Sequence, residues 1–170
     1  MIVLIGYMGS GKSTVGKVLA NQLKKDFIDF DQYIEAKEQL SIPEIFKQKG
    51  EVYFRKKESH YLGELLKGNS NAVVSLGGGT PCFGDNMQTI IEATPNVFYL
   101  KLSVDKLIER LQPEKSYRPL IKDIADEDLS DFIRKHLFER NFYYLQAHHI
   151  LNVTEQSAEQ CAGEVIEKLS

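Results

Sequence analysis

The fold is decided by residues 4–20, which read LIGYMGSGKSTVGKVLA. A short apolar run passes into a glycine-rich turn, and apolar residues then resume at helical spacing, which predicts a strand, a loop and a helix. The turn matches the pattern G-x-x-x-x-G-K-[ST], with Gly6, Gly11, Lys12 and Ser13 at its fixed positions. Glycines let backbone N–H groups face phosphate oxygens, and the start of a helix favours an anion. The turn therefore predicts a nucleoside triphosphate site, with Lys12 at the β- and γ-phosphates and Ser13 on Mg²⁺; the alternative is a chance match in an ordinary turn.

The composition is that of one globular domain spanning residues 1–170. Charged residues make up 26% of the chain and hydrophobic ones 42%, which is ordinary for a globular protein. The net charge of −3 disfavours a nucleic-acid binder, which usually presents a basic face. No apolar run approaches the length of a membrane span. Cys82 and Cys161 lack metal-ligand spacing and are expected to be reduced thiols, so we expect a cytoplasmic protein that binds neither nucleic acid nor membrane.

Strand-like and helix-like segments alternate along the chain. Apolar runs predict strands at residues 2–5, 27–30, 72–76, 97–102 and 149–153. Helical patterns predict helices at residues 12–24, 50–66, 104–111, 129–146 and 158–169. This alternation is typical of an α/β fold in which helices cover both faces of a parallel sheet. Residues 112–128 have weak periodicity, two prolines and many charges, and we expect this loop to act as a lid.

Two carboxylates lie at the second predicted strand, in the sequence FIDFD. A typical P-loop protein places an aspartate at the end of another strand to help hold the metal, but the strand at 72–76 carries Ser75 near its end and is followed by glycines. In an extended strand Asp29 and Asp31 would point to the same side, so that one approaches the metal and the other reaches a substrate hydroxyl. Asp31 could also be the N-cap of the helix that follows, and the two roles are compatible.

Arginine is scarce among the 21 basic residues, which suggests that some arginines are kept for a planar contact with an anion. On a helix, Arg55 would lie between Glu51 and Glu58, so a surface ion-pair ladder is the alternative to an anion site there. Arg140 shares an apolar helical stripe, where an unpaired guanidinium would be costly and a bound anion would relieve the cost.

The other arginines differ in their surroundings. Arg118 lies inside the predicted lid, from which it could swing onto phosphates. Arg110 ends a predicted helix, where a positive charge would complement the helix dipole. Arg134 has no such context and is expected on a solvated helix face.

Five motifs together resemble the shikimate kinases, in their order and spacing: GYMGSGKSTVGKVLA, FIDFD, GEVYFR, SLGGGT and YRPL. The resemblance runs from the first strand to the helix that carries Arg140. It implies a three-layer α/β/α P-loop kinase fold with a five-stranded parallel sheet of order 2-3-1-4-5. It also implies an ATP-dependent phosphotransferase that converts shikimate and ATP into shikimate 3-phosphate and ADP, in aromatic amino-acid biosynthesis.

The resemblance further implies roles for individual residues. The catalytic residues would be Lys12, Asp31 and Arg118. The ATP site would comprise Gly9, Ser10, Gly11, Lys12, Ser13, Thr14, Arg110, Arg118 and, in the loop after the last strand, Ser157. The shikimate site would comprise Asp31, Arg55, Gly77, Gly78, Gly79 and Arg140, within a substrate-binding region at about residues 31–61 and around the glycines. Ser13 would bind Mg²⁺ directly and Asp29 through water, and we expect a monomer.

Two other functions remain open at this point. A gluconate kinase or a nucleoside monophosphate kinase would use the same P-loop with another acceptor. A nucleotide-binding switch would have no metabolic acceptor and would bind a partner protein, but it has no need for Arg140 on an apolar helix face.

Overall fold

A five-stranded parallel sheet forms the centre of the computed structural model, which describes residues 1–169; Ser170, the last residue of the predicted domain, lies outside them. The strands are β1 (Ile2–Ile5), β2 (Asp26–Asp29), β3 (Ala72–Ser75), β4 (Val97–Lys101) and β5 (His149–Asn152). Their order across the sheet is β2-β3-β1-β4-β5, and every neighbouring pair is parallel. The predicted sheet and strand order are confirmed.

In the described part of the chain, seven helices connect and cover the strands. They are α1 (Lys12–Leu23), α2 (Phe30–Glu38), α3 (Ile42–Gly68), α4 (Asn86–Ala93), α5 (Val104–Leu111), α6 (Asp126–Tyr144) and α7 (Ala158–Leu169). Short 3-10 turns lie at Thr80–Cys82 and Lys115–Tyr117. Helix α1 packs against α7, and α5 packs against α6. None of the helices within residues 1–169 is both long enough and apolar enough to cross a membrane.

The core follows directly from the apolar runs of the sequence. All four residues of β1 are buried, as are all four of β3, because strands at the centre of a parallel sheet are covered on both faces. The edge strand β2 is only partly buried. Cys161 is buried and Cys82 is half-buried, and both are free thiols as predicted.

Helix α3 contains a break that separates two helical segments. Gly50 has φ 82° and ψ 171°, a backbone conformation that residues other than glycine rarely adopt. The first segment begins at a capping box, in which Ser41 and Glu44 each bond the other's backbone N–H. The predicted helix at 50–66 corresponds to the second segment, while the first segment and α4 were not predicted.

Two predicted boundaries are wrong near the functional residues. The strand predicted at 27–30 ends at Asp29, and Phe30 already begins α2. Asp29, not Asp31, is the N-cap, because its side chain accepts from the backbone N–H groups of Asp31 at 3.1 Å and Gln32 at 3.4 Å. Asp31 therefore lies in the first turn of a helix and is not extended beside Asp29.

The predicted lid is largely irregular, as expected, but its end differs. Helix α6 begins at Asp126 and not at 129, because three acidic residues in its first turn favour the positive end of the helix dipole. Within the lid, Ile121 is fully buried, whereas the neighbouring Leu120 and Tyr117 are exposed. The loop is thus anchored to the core by Ile121, and the partly buried Ile124 also packs against the core.

Candidate active site

The predicted phosphate-binding loop lies between β1 and α1 and has the geometry of an anion site. Gly9 and Gly11 have φ values of 78° and 91°, which glycine adopts without strain. Gly11 precedes α1, and neither a side-chain cap nor an acidic residue occupies the first turn of that helix. The first N–H groups of α1 are therefore free to bind an anion.

Lys12 spans this loop from the inside. Its Nζ donates to the carbonyl oxygens of Gly6 at 2.9 Å and Tyr7 at 3.0 Å, and the residue is buried. Burial lowers the pKa of Lys12 to about 8; the charge of Asp31 acts in the opposite direction, and the charge of Arg118 lowers the pKa further. A buried ammonium with only carbonyl partners is suited to a charged ligand that replaces them.

Three side-chain oxygens meet beside Lys12. Ser13 Oγ donates to Asp29 Oδ2 at 2.9 Å and lies 3.4 Å from Ser75 Oγ. Asp29 and Ser75 lie side by side in the register of β2 and β3. The carboxylate of β2 is therefore next to the position where a typical P-loop protein has its aspartate and β3 has a serine.

This oxygen cluster fits Mg²⁺. Oxygen ligands suit Mg²⁺, which usually keeps several waters and takes only one or two carboxylates together with substrate phosphates. No group of three or more His, Cys, Asp or Glu side chains among residues 1–169 could hold a metal by itself. A cation at Ser13 and Asp29 would thus depend on water and phosphate for its other ligands.

Asp31 presents its carboxylate to a cavity that Ser13 and Asp29 also line. No hydrogen bond from residues 1–169 reaches its side chain, although the residue is half-buried. Burial raises the pKa of Asp31 to about 6, and the neighbouring charge of Asp29 raises it further while Lys12 lowers it. A Cβ on Gly77 would lie only 2.6 Å from Asp31 Oδ1, so the glycine leaves the space that this carboxylate occupies.

The three glycines after β3 bring the predicted acceptor residues together. A Cβ on Gly79 would lie 3.1 Å from both Nη atoms of Arg55 and 3.4 Å from Arg140 Nη2. A Cβ on Gly78 would lie 3.2 Å from Arg140 Nη1 and 3.3 Å from the backbone N of Met8. Bare backbone is therefore required where two guanidinium groups and the phosphate-binding loop converge.

Arg55 has partners within the protein, as one of the two interpretations predicted. Its Nη1 lies 2.8 Å from Glu58 Oε2, and its Nε lies 3.7 Å from Glu51 Oε1. Glu58 is buried and also accepts from Thr80 Oγ1 at 2.8 Å. This pair is an internal ion pair and not a surface ladder, and it fixes Arg55 next to Gly79.

Arg140 differs from Arg55 in its partners. No carboxylate among the described residues 1–169 forms an ion pair with it. Its guanidinium carbon lies 5.7 Å from the centroid of the Tyr7 ring, and nearby Tyr144 donates to the Gly78 carbonyl at 2.6 Å. The positive charge of Arg140 is thus available to an external anion.

A cavity of about 620 Å³ joins the phosphate-binding loop, Asp31 and the glycines to the lid. Arg118 lines it from the lid side and pairs with Glu114. Arg110 lines both this cavity and a second one of about 300 Å³, and it donates to the Gly9 carbonyl at 3.2 Å. The second cavity is also lined by Ser157, Gln156 and Thr14.

Arg134 is exposed on α6 near Asp105, as predicted.

Sequence reasoning did not anticipate several neighbours of the site. Glu58 was considered only as a surface partner, and nothing in the sequence indicates that Thr80 completes a buried pair with it. His136, whose Nδ1 lies 2.8 Å from the Tyr7 hydroxyl, gave no motif signal.

Known proteins similar to this chain include several shikimate kinases. A family model described as Shikimate kinase matches residues 8–170. The shikimate kinase of Flavobacterium johnsoniae is 43% identical over 169 residues, covering 99% of this chain and 98% of that protein. Two solved structures are similar over 99% of this chain. A shikimate kinase from Bacteroides thetaiotaomicron has a TM-score of 0.86 at 37% identity, with 94% of that chain covered. A shikimate kinase from Acinetobacter baumannii in complex with shikimate has a TM-score of 0.88 at 32% identity, with 91% of that chain covered.

The family is therefore established along nearly the whole length of the chain and not only at the phosphate-binding loop. The family and the loop together make the protein an ATP-dependent kinase. The chain belongs to the shikimate kinase family.

Proposed function

We propose that this chain transfers the γ-phosphoryl group of ATP to the 3-hydroxyl of shikimate, giving shikimate 3-phosphate and ADP, as a step of aromatic amino-acid biosynthesis. The observation that carries the proposal is the convergence of Arg55, Arg140 and Asp31 on the triple glycine, opposite the phosphate-binding loop. Shikimate carries one carboxylate and three hydroxyls. Two guanidinium forks suit the carboxylate, and an unpaired carboxylate suits a hydroxyl.

The nucleotide lies along the loop and the second cavity. Backbone N–H groups from Gly9 to Thr14 hold the phosphates, with Ser10, Gly11 and Ser13 between them. Lys12 leaves its two carbonyl partners for the β- and γ-phosphates. The base lies between Arg110 and Ser157, which line the second cavity.

Ser13 and Asp29 would hold Mg²⁺, Ser13 by direct contact and Asp29 through water. The chemistry that Mg²⁺ supplies there when bound is neutralisation of charge on the phosphate oxygens. The hydrogen bond from Ser13 to Asp29 already orients both side chains.

The transfer step uses Asp31, Lys12 and Arg118. Asp31 accepts the proton of the 3-hydroxyl while the hydroxyl oxygen bonds to the γ-phosphorus. The bond between the γ-phosphorus and the β-phosphate oxygen breaks, and ADP leaves. The raised pKa of Asp31 makes it a stronger base than an ordinary aspartate. Lys12 and Arg118 stabilise the charge on the transferred group, and closure of the lid at 112–128 excludes water. Every group comes from one chain, so we expect an active monomer, with acceptor binding centred on residues 31–61 and the glycines Gly77, Gly78 and Gly79.

The test is release of ADP with different acceptors. Shikimate, gluconate, a nucleoside monophosphate and no acceptor are each supplied with ATP and Mg²⁺, and ADP is measured through a coupled assay. Of these four reactions, only the one that contains shikimate should release ADP quickly. Faster release with gluconate or a nucleoside monophosphate would overturn the assignment of the acceptor, and equal release in all four would indicate a nucleotide-binding switch.

A further inference from the structure

Tyr7 touches both halves of the active site. It is the residue after Gly6 in the phosphate-binding loop, and it is 1% exposed. Its carbonyl oxygen accepts from Lys12 at 3.0 Å, while its ring lies under the guanidinium of Arg140, 5.7 Å from centroid to carbon. That separation is within the range of a cation–π interaction.

Helix α6 supports this ring through His136. The Tyr7 hydroxyl and His136 Nδ1 are 2.8 Å apart, and the two rings meet edge to face with centroids 5.5 Å apart. Phe132 also packs against His136, with ring centroids 5.2 Å apart. Phe132, His136 and Arg140 are spaced by four residues, so they share one face of the helix.

The ionisation states favour a fixed arrangement. Burial raises the pKa of Tyr7 to about 12, so its hydroxyl stays protonated at neutral pH. Burial and the charge of Arg140 lower the pKa of His136 to about 4, so its imidazole stays neutral. A neutral imidazole beside Arg140 adds no like charge to the acceptor site.

We propose that Tyr7, held by its hydrogen bond to His136, is a positioning residue that aims Arg140 at the carboxylate of the acceptor. The proposal rests on the proposed function, because it takes that carboxylate as the anion. Arg140 lacks the internal carboxylate that fixes Arg55, so the face of the Tyr7 ring, the Tyr144 hydroxyl and the backbone at Gly78 define where its charge lies. A residue of the nucleotide loop thus determines affinity for the other substrate.

The test measures shikimate affinity by calorimetry and steady-state KM for both substrates. Tyr7→Leu removes the ring face and should weaken shikimate binding about 3- to 30-fold. Tyr7→Phe and His136→Leu each remove the hydrogen bond between these side chains. Each should weaken shikimate binding about 2- to 10-fold, and the double variant should show no further loss of affinity. His136→Gln, which can still share a hydrogen bond, should recover part of the affinity. KM for ATP and kcat at saturating shikimate should change little in the two His136 variants, because His136 lies on α6 outside the phosphate-binding loop.

A matched control separates positioning from general stability. Tyr99 is also buried, and its hydroxyl bonds Asn141 of the same helix at 2.9 Å. Tyr99→Phe should lower the melting temperature about as much as Tyr7→Phe, yet leave shikimate affinity unchanged. In an Arg140→Ala background, Tyr7→Leu should cause no additional loss of shikimate affinity.

The outcomes distinguish this inference from the proposed function. If the wild type binds shikimate and Tyr7→Leu binds it equally well, the inference is overturned and the proposed function stands. If Tyr7→Leu does not fold, Tyr7→Phe and His136→Leu decide in the same way. Equal losses with and without Arg140 would also overturn the inference, because Tyr7 would then act through the fold alone. A wild type that neither binds nor phosphorylates shikimate would overturn both proposals.

Discussion

Replacement of Arg55 by alanine should lower both the stability of the protein and its affinity for shikimate. The side chain of Glu58 is 2% exposed, and its carboxylate accepts from Arg55 Nη1 and from Thr80 Oγ1, each at 2.8 Å. Loss of one partner of a buried ion pair costs about 3–5 kcal/mol. Because the Thr80 hydroxyl remains, we expect the free energy of unfolding to fall by about 3 kcal/mol, the lower end of that range.

The loss of affinity has a different cause and can be separated from the loss of stability. An Arg–carboxylate contact in a partly desolvated pocket contributes about 2–4 kcal/mol. Shikimate should therefore bind roughly 30- to 1,000-fold more weakly to Arg55→Ala. In the double variant Arg55→Ala/Glu58→Gln, the amide no longer leaves a buried charge unpaired, so most of the stability should return. Affinity for shikimate should not return.

Urea denaturation measures the first effect, and calorimetric titration of shikimate into the folded variants measures the second. Arg134→Ala is the control, since Arg134 is exposed and its only ion pair within residues 1–169, with Asp105, is a surface pair at 3.4 Å. It should alter neither quantity. Recovery of shikimate affinity in the double variant would refute the reasoning, because Arg55 would then act only through Glu58.

The phosphate-binding loop, residues 112–128 and Asp31 can each be tested separately. Lys12→Ala should lower kcat by several orders of magnitude in a protein that still folds, and near-normal turnover would contradict the assigned role of the loop. Hydrogen exchange at residues 112–128 should slow when nucleotide and shikimate are both bound, while unchanged exchange would rule out lid closure. Asp31→Asn should abolish most activity yet stabilise the metal-free protein. The pKa of Asp31 is raised from 3.8 to about 6, so its ionisation costs stability as the pH rises through that window. The gain in melting temperature should therefore be larger at pH 8 than at pH 5, and the opposite order would show that the carboxylate is not desolvated.

The sequence predicted the parts of the site that depend on local spacing. The loop from Gly6 to Ser13 carries its own signal, because glycine, lysine and hydroxyl occur at fixed offsets within one strand–turn–helix unit. The strand order was predicted through the family resemblance and not from any single strand. Burial of Glu58 could not be predicted, since it depends on Thr80, 22 residues further along the chain.

The other errors arise from hydrogen bonds between side chain and backbone and from contacts between residues far apart in the sequence. Strand β2 ends at Asp29 because the Asp29 carboxylate accepts hydrogen bonds from backbone N–H groups of the next turn. The alternation of apolar and polar residues does not indicate this interaction. Helix α4 separates its apolar and polar residues less clearly than the equally short α5, and it lacks the side-chain N-cap that precedes α5. The contact between Tyr7 and His136 joins positions 129 residues apart, and only the packing of α6 on the sheet brings them together.

The carboxylate clamp is tested most directly by kcat/KM for shikimate against its methyl ester, which has the same ring and hydroxyls but no negative charge. The wild type should prefer shikimate by about 100-fold or more, because two charge-assisted contacts, from Arg55 and Arg140, are lost with the ester. In Arg140→Ala the preference should shrink by at least tenfold. Equal use of shikimate and its ester by the wild type would contradict the assignment of both arginines to the acceptor carboxylate.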